Sequence, residues 1–333
     1  MAPKTQHMPR EDELVPLVMH RQPLAGAELL ACPLLLYCCA EQPCRLGAPG
    51  AFAQAGFAVT DVRQGVTNDC WFLAIAATIA RNHPELLKSI IRLADGQPGV
   101  AEVRVWRQSL SNNAWLEILA LVRRQSRVLP CGAMGCCRWA PSMLSFGEHE
   151  TWVQDLQLGA ALALRPLPEG RNATPTRPGI RDLLQMNGGY PADAMTLLLG
   201  PHLEVGPVFV SSDAGAQRIF DAAINRYGSR IIGACSTGLT GKRGGSVVDM
   251  VVNYCGAFGS GRIVPSHVYG VISRDANNGR WQLYNPYGFD FRSLSKAAQV
   301  SPDKEDNGLF WMSDVEFDKH FVGITYAVLN ASQ

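Results

Sequence analysis

The sequence predicts an α+β fold with a helical first part and a strand-rich second part. Hydrophobic residues make up 47% of the 333-residue chain and charged residues 18%, which is typical of a folded globular protein. Apolar segments of helical character dominate residues 51–207, whereas β-branched, alternating segments follow Arg230. We therefore expect an N-terminal extension at residues 1–50, a helical lobe at 51–207 and a β-rich lobe at 208–333.

The first part carries the clearest helix signal. Residues 70–81 are apolar on nearly every side, which predicts a central, buried helix. Pro84 ends that helix and begins a second one over 84–92. Alternating residues at 100–106 and 115–122 predict two strands. Further helices are expected at 151–164, 180–186, 192–199 and 213–227.

The second part is dominated by predicted strands. They are expected at 231–236, 267–273, 280–284 and 324–329. Ser313 and Glu316 form the pattern of a capping box, in which each side chain bonds the other residue's backbone N–H. A short helix over 314–320 follows from that pair.

Composition excludes several functional classes. The net charge of +1 offers no surface for nucleic acid or acidic lipid. The chain has no run of about 18 uncharged apolar residues, so no membrane span is expected. The ten cysteines lack the CxxC pairing of a zinc site, so we interpret most of them as buried thiols. Zinc held by the two cysteine clusters is the alternative.

One segment of the first part contains residue types, at a suitable spacing, that an acyl-transfer site needs. Gln64 precedes Cys70 by six residues, and Cys70 opens the predicted buried helix. The unpaired N–H groups at a helix start favour a thiolate, and a nearby amide can donate to an oxyanion. Such a nucleophile needs a base and a group that orients it. His267 and Asn285 supply both residue types far downstream.

These segments resemble the protease core of the calpain family, cysteine peptidases of papain-like fold. The resemblance spans about residues 55–330 and includes four motifs in order. Their matching residues are Gln64, Gly65, Asp69, Cys70, Trp71, Phe72, Leu73, Ala74 and Ala76; His267, Tyr269 and Val271; Asn285, Pro286 and Gly288; and the segment from Gly308 to Ser313.

The resemblance implies a two-lobed fold and a Cys-His-Asn triad. Cys70 is then the nucleophile, His267 the base and Asn285 the residue that orients the imidazole. The Gln64 side chain and the Cys70 backbone N–H form the oxyanion hole. Trp71 and Tyr287 pack at the active site, with Tyr287 in the place of the family's tryptophan. A core role for Trp71 is the alternative.

Other positions depart from the family pattern. Asn68 and Ser266 stand where the family has glycine, and Gly270 stands where it has serine. The acidic segment after Gly288, which helps to hold calcium in relatives, is short, and no EF-hand loop is present. We therefore expect no required cofactor, and calcium remains an open alternative.

The function expected from these residues is a calpain-like endopeptidase that acts on protein or peptide substrates. Two alternatives use the same fold: a glutamine deamidase or acyltransferase, and a catalytically silent binding protein. Ser266 and Tyr287 are the only residues that favour the silent form. We expect a cytoplasmic protein or one delivered into a host cell, with residues 1–50 as a signal or as the contact with a host or regulatory partner.

Overall fold

A computed structural model describes residues 52–53, 56–64, 68–108, 114–123, 151–164, 186, 188–211, 215–238, 263–264, 266–288, 301–302 and 307–331. The N-terminal extension and most of the predicted helix at 180–186 lie outside these residues. The acidic residues considered for calcium are also outside; they are Asp290, Asp303, Glu305 and Asp306. No helix in the described part of the chain is long and apolar enough to cross a membrane.

The described residues alternate between helices and strands in the first half and are mainly strands in the second. The helices are α1 (Cys70–Asn82), α2 (Pro84–Ile90), α3 (Trp152–Ala163), α4 (Pro191–Leu199), α5 (Ala216–Tyr227) and α6 (Asp314–His320). The strands are β1 (Ile91–Ala94), β2 (Gln97–Gln108), β3 (Trp115–Arg123), β4 (Leu203–Ser211), β5 (Ile231–Thr237), β6 (Val268–Asp275), β7 (Arg280–Tyr284), β8 (Ser301–Pro302), β9 (Leu309–Ser313) and β10 (Phe321–Leu329).

Two antiparallel sheets organise the chain. The smaller one has the order β1-β2-β3, and the larger one has the order β4-β10-β5-β6-β7-β9-β8. The fold is therefore α+β with antiparallel sheets, as predicted. The predicted lobe boundary at residue 207 lies inside β4, which pairs with β10 in the larger sheet. The division into two lobes stays a prediction.

Helix α1 lies between the smaller sheet with its helices and one face of the larger sheet. Every residue from Cys70 to Ala80 is buried. Its core neighbours include Ile232 of β5 and Val268 of β6. The opposite face of the larger sheet is covered by α5 and α6, where Phe220 and Phe317 stack on Trp281.

Several predicted elements are confirmed with small changes at their ends. These are α1, the strands β2 and β3, the helices α3, α4 and α5, the strands β5, β6, β7 and β10, and the helix α6. Ser313 caps α6, because its hydroxyl accepts the N–H of Glu316 at 3.3 Å.

Four strands, β1, β4, β8 and β9, were not predicted, and one predicted helix was too long. The helix predicted over 84–92 ends at Ile90, since the chain turns into β1 to pair with β2. Strand β4 was missed because Gly206 and Pro207 signal a turn; the structure places them at a bulge of an edge strand, where proline is tolerated. Strand β9 was missed because its sequence was interpreted only as the start of the following helix.

Candidate active site

Cys70 is the first residue of α1, and its thiol is almost completely buried. Asp69 precedes the helix, and its carbonyl accepts the N–H of Phe72 at 2.9 Å. Burial raises the pKa of the Cys70 thiol to about 12, and the Asp69 carboxylate acts in the same direction. The backbone N–H groups of Val268, Trp71 and Cys70 oppose that rise. The resting side chain is therefore a thiol surrounded by donors that can stabilise a thiolate.

His267 is adjacent in sequence to a residue that contacts the Cys70 thiol. Val268 donates its backbone N–H toward the sulfur, so the start of β6 lies against the start of α1. Burial lowers the pKa of the His267 imidazole to about 4. The structure thus places His267, a buried histidine, one residue before the backbone N–H that contacts the buried Cys70 thiol.

Asn285 bonds the imidazole at the far nitrogen. Its Oδ1 lies 3.0 Å from Nε2 of His267, and the Asn285 side chain is fully buried. The same oxygen accepts the backbone N–H of Tyr287 at 3.2 Å, which fixes the orientation of the amide. Nε2 of His267 must then donate, and Nδ1 is left as the basic nitrogen.

Two tyrosines enclose the His267 ring. Tyr287 stacks on it with ring centroids 4.7 Å apart and planes inclined by 5°. Tyr269 meets it edge-on at 4.9 Å. Tyr287 therefore covers the histidine on the same turn that carries Asn285. Ring stacking and the Asn285 bond together leave the imidazole little freedom to rotate.

Gln64 belongs to a segment that is attached to the end of β7. Its backbone N–H donates to the carbonyl of Pro286 at 2.7 Å, and the Tyr284 hydroxyl donates to the carbonyl of Val62. The Gln64 side chain is 5% exposed. These bonds join the predicted oxyanion donor to the turn that holds Asn285.

Trp71 has a core position. It is 2% exposed, and its indole N–H donates to the carbonyl of Met186 at 2.9 Å. A methyl group on Gly189 would lie 2.5 Å from the indole ring, so this position must be glycine. The N–H of Gly188 also donates to the carbonyl of Asn68 at 2.8 Å. Packing of the helix start is the role that these contacts support.

Residues 188–190 are exposed and border the candidate site, but they were not identified from the sequence as part of it. They border the start of α1 through the contacts of Gly188 and Gly189. The signal that could have found them is the adjacent pair of glycines before Tyr190 and Pro191. Two glycines before a proline mark a place where another chain segment comes close.

Two departures from the calpain pattern have structural consequences. Ser266 has a φ of 50°, the left-handed conformation that glycine adopts without strain. A side chain at Gly270 would place its Cβ 2.7 Å from Oγ1 of Thr78 and 2.8 Å from the carbonyl oxygen of Ala74. Helix α1 therefore lies so close to β6 that a serine at this position would collide with the Thr78 hydroxyl and the Ala74 carbonyl.

The described part of the chain contains no group of three or more His, Cys, Asp or Glu side chains arranged to hold a metal ion. Of the cysteines within it, Cys70 and Cys235 are both buried free thiols. The remaining cysteines lie outside the described residues.

Comparison with protein families supports the class of site. Residues 41–120 match the model of the calpain family cysteine protease. This match, which covers only the first part of the chain, confirms the resemblance to a calpain-family catalytic core. The matched region contains Gln64 and Cys70 but ends before His267 and Asn285. No curated protein matches the chain.

Proposed function

We propose that this chain is a calpain-like cysteine endopeptidase of papain-like, two-lobed architecture. The helical part supplies Cys70, and the larger sheet supplies His267 and Asn285. The observation that carries the proposal is the His267–Asn285 hydrogen bond of 3.0 Å beneath Tyr287, at the strand whose first N–H points to the Cys70 sulfur. Such an arrangement of nucleophile, base and orienting amide is the requirement for thiol acyl transfer.

The first half of the reaction forms a thioester. The Cys70 thiol transfers its proton to Nδ1 of His267, and the thiolate attacks the carbonyl carbon of the scissile amide. The Gln64 side chain and the Cys70 backbone N–H hold the oxyanion, each such donor contributing on the order of 3 kcal/mol. When the intermediate collapses, the imidazolium protonates the leaving amine and the C–N bond breaks.

The second half releases the acid. Water attacks the thioester carbon while His267 accepts one of its protons. The thiolate leaves and recovers a proton from the imidazolium. Asn285 keeps Nδ1 directed at the cysteine in both halves, since Nε2 remains occupied as a donor. Burial favours the neutral thiol and the neutral imidazole. The thiolate and the imidazolium therefore form together, by direct transfer of the proton from Cys70 to His267.

The test is labelling of the purified protein with an epoxide thiol inhibitor, followed by mapping of the adduct by mass spectrometry. We expect one adduct, on Cys70, that is absent in Cys70→Ala and strongly reduced in His267→Ala. Cys235→Ala is the matched control, because Cys235 is a fully buried thiol in β5 and should not be labelled. Parallel reactions with calcium and with a chelator decide whether the site needs the ion.

Substrate mass spectrometry separates the proposal from its two alternatives. An endopeptidase cuts the substrate chain, whereas a deamidase or acyltransferase leaves it intact and changes a glutamine side chain. A silent binding protein gives neither product and no selective label on Cys70. That last result, in calcium and in chelator alike, would refute the peptidase assignment.

A further inference from the structure

His267 lies just before β6, outside its regular pairing with β5. The last paired residues are Ser236 of β5 and Val268 of β6. Thr237 follows Ser236 and is 7% exposed, so its hydroxyl group is shielded from solvent. The backbone of His267 is therefore held where the ladder between the two strands ends.

Thr237 continues the ladder with its side chain as well as its backbone. Its N–H donates to the carbonyl of His267 at 2.9 Å. In the return direction, the N–H of His267 donates to Oγ1 of Thr237, also at 2.9 Å. The hydroxyl thus takes the place of a backbone carbonyl opposite the histidine.

The same hydroxyl also holds the segment before the histidine. It lies 2.8 Å from the carbonyl of Val264, to which it donates, and 3.1 Å from the carbonyl of His267. The N–H of Ser266 donates to the carbonyl of Gly238 at 3.0 Å. Ser266 has its left-handed backbone between these bonds. A strained residue keeps such a conformation only where its surroundings determine it.

We propose that Thr237 is a positioning residue for His267, and this inference rests on the function proposed above. Asn285 and Tyr287 orient the ring, but Asn285 bonds its far nitrogen and Tyr287 covers its face, so neither fixes the main chain of His267. Thr237 fixes the main chain from which the ring projects, and so sets the distance of Nδ1 from the Cys70 thiol. A displacement on the order of 1 Å of a reacting group can cost about 10²-fold in rate.

The test compares Thr237→Val, which keeps the shape and removes the hydroxyl, with Thr237→Ser, which keeps the hydroxyl. Thr325→Val is the matched control, because Thr325 is a buried threonine of the adjacent strand β10 that pairs with Ala234. We expect Thr237→Val to lower kcat about ten-fold or more with little change in KM, Thr237→Ser to retain most of the activity, and Thr325→Val to leave it unchanged.

A second readout does not depend on turnover. Nitrogen NMR of the His267 ring in protein labelled at histidine reports its tautomer and its conformational exchange. In the wild type we expect one form with the hydrogen on Nε2. In Thr237→Val we expect exchange-broadened signals or a mixture of tautomers, and in Thr237→Ser the wild-type spectrum.

The outcomes distinguish the two proposals. If the wild type is inactive but the His267 signals change only in Thr237→Val, the peptidase proposal fails and the positioning inference stands. If kcat and the ring signals of Thr237→Val equal those of the wild type, the positioning inference is wrong. Should Thr237→Val fail to fold, Thr237→Ala replaces it, with the same comparison to Thr237→Ser.

Discussion

The two parts of the molecule that meet at the candidate site hold their reactive groups by different means. Cys70 is fixed by packing, since it begins a helix whose residues are buried from Cys70 to Ala80. His267 and Asn285 both lie just outside strand ends and are fixed by hydrogen bonds. The nucleophile should therefore respond to changes of volume, and the base to the loss of single polar atoms.

We call His267 and Asn285 the hydrogen-bonded side of the site and Cys70 with its helix the packed side. The largest effect on activity is expected on the hydrogen-bonded side. Asn285→Ala removes the acceptor of the His267 Nε2–H and frees the ring to turn. We expect kcat to fall by about 10²-fold or more, and the free energy of unfolding to fall by about 1–3 kcal/mol because a buried donor loses its partner. Peptide hydrolysis and urea denaturation measure the two effects.

Asn82→Ala is the control for Asn285→Ala. Its amide also crosses from α1 to the sheet, donating to the carbonyl of Ile272 at 3.0 Å, but it lies at the far end of the helix. A modest loss of stability with an unchanged kcat is expected. Equal losses of kcat in both variants would mean that Asn285 acts only through stability.

The pH dependence follows from the buried histidine. Its pKa is about 4 in the folded protein and near 6.5 when unfolded, so the unfolded chain binds more protons between these values. The contribution of the neutral His267 to the free energy of unfolding is fully present above pH 6.5 and is lost as the pH falls through 4. Its size is on the order of 3 kcal/mol. Urea denaturation across this range measures it.

His267→Gln supplies the comparison for that measurement. His83, His202 and His320 also have lowered pKa values through burial and contribute to acid sensitivity. In His267→Gln, the free energy of unfolding should therefore still fall with decreasing pH, but less steeply than in the wild type. In the wild type, the rate of Cys70 alkylation should also stay constant as the pH is lowered from neutral to well below 6.5. An acid limb centred at 6.5 or above would contradict the buried, neutral imidazole.

The packed side is tested at the contact between α1 and β6. Gly270→Ser restores the residue of the calpain pattern but drives a Cβ against Thr78 and the Ala74 carbonyl. We expect a loss of about 1–3 kcal/mol of stability and slower alkylation of Cys70, because the helix must move away from the strand. Thermal unfolding and the inhibitor reaction measure these effects.

The double variant Thr78→Ala with Gly270→Ser should recover part of both losses, since it removes one of the two close contacts. Gly206→Ser is the control, because a Cβ at Gly206 meets nothing within 4 Å. If Gly270→Ser behaves like Gly206→Ser, α1 and β6 are not in tight contact, and packing does not fix Cys70.

The sequence predicted the packed side better than the hydrogen-bonded side. Helix α1 is apolar all round, so its burial follows from composition alone. The motifs placed Cys70, His267 and Asn285 in one proposed site. They could not identify Thr237 or Thr78, because their roles depend on which strand pairs with β6 and on how closely α1 approaches it.

The smallest effect is expected at Ser266, where backbone strain meets the hydrogen bonds of Thr237. Ser266→Gly removes the cost of a left-handed serine, about 1 kcal/mol, and adds some entropy to the unfolded chain. We expect stability to rise by up to about 1 kcal/mol, seen as a higher urea midpoint with an unchanged m value. Ser229→Gly is the control. Among the described positions, Ser266 is the only non-glycine residue with a positive φ, so a glycine at position 229 relieves no strain and should not stabilise the protein. If Ser266→Gly also lowers kcat, the serine side chain contributes to holding His267, and hydrogen bonds alone do not fix the base.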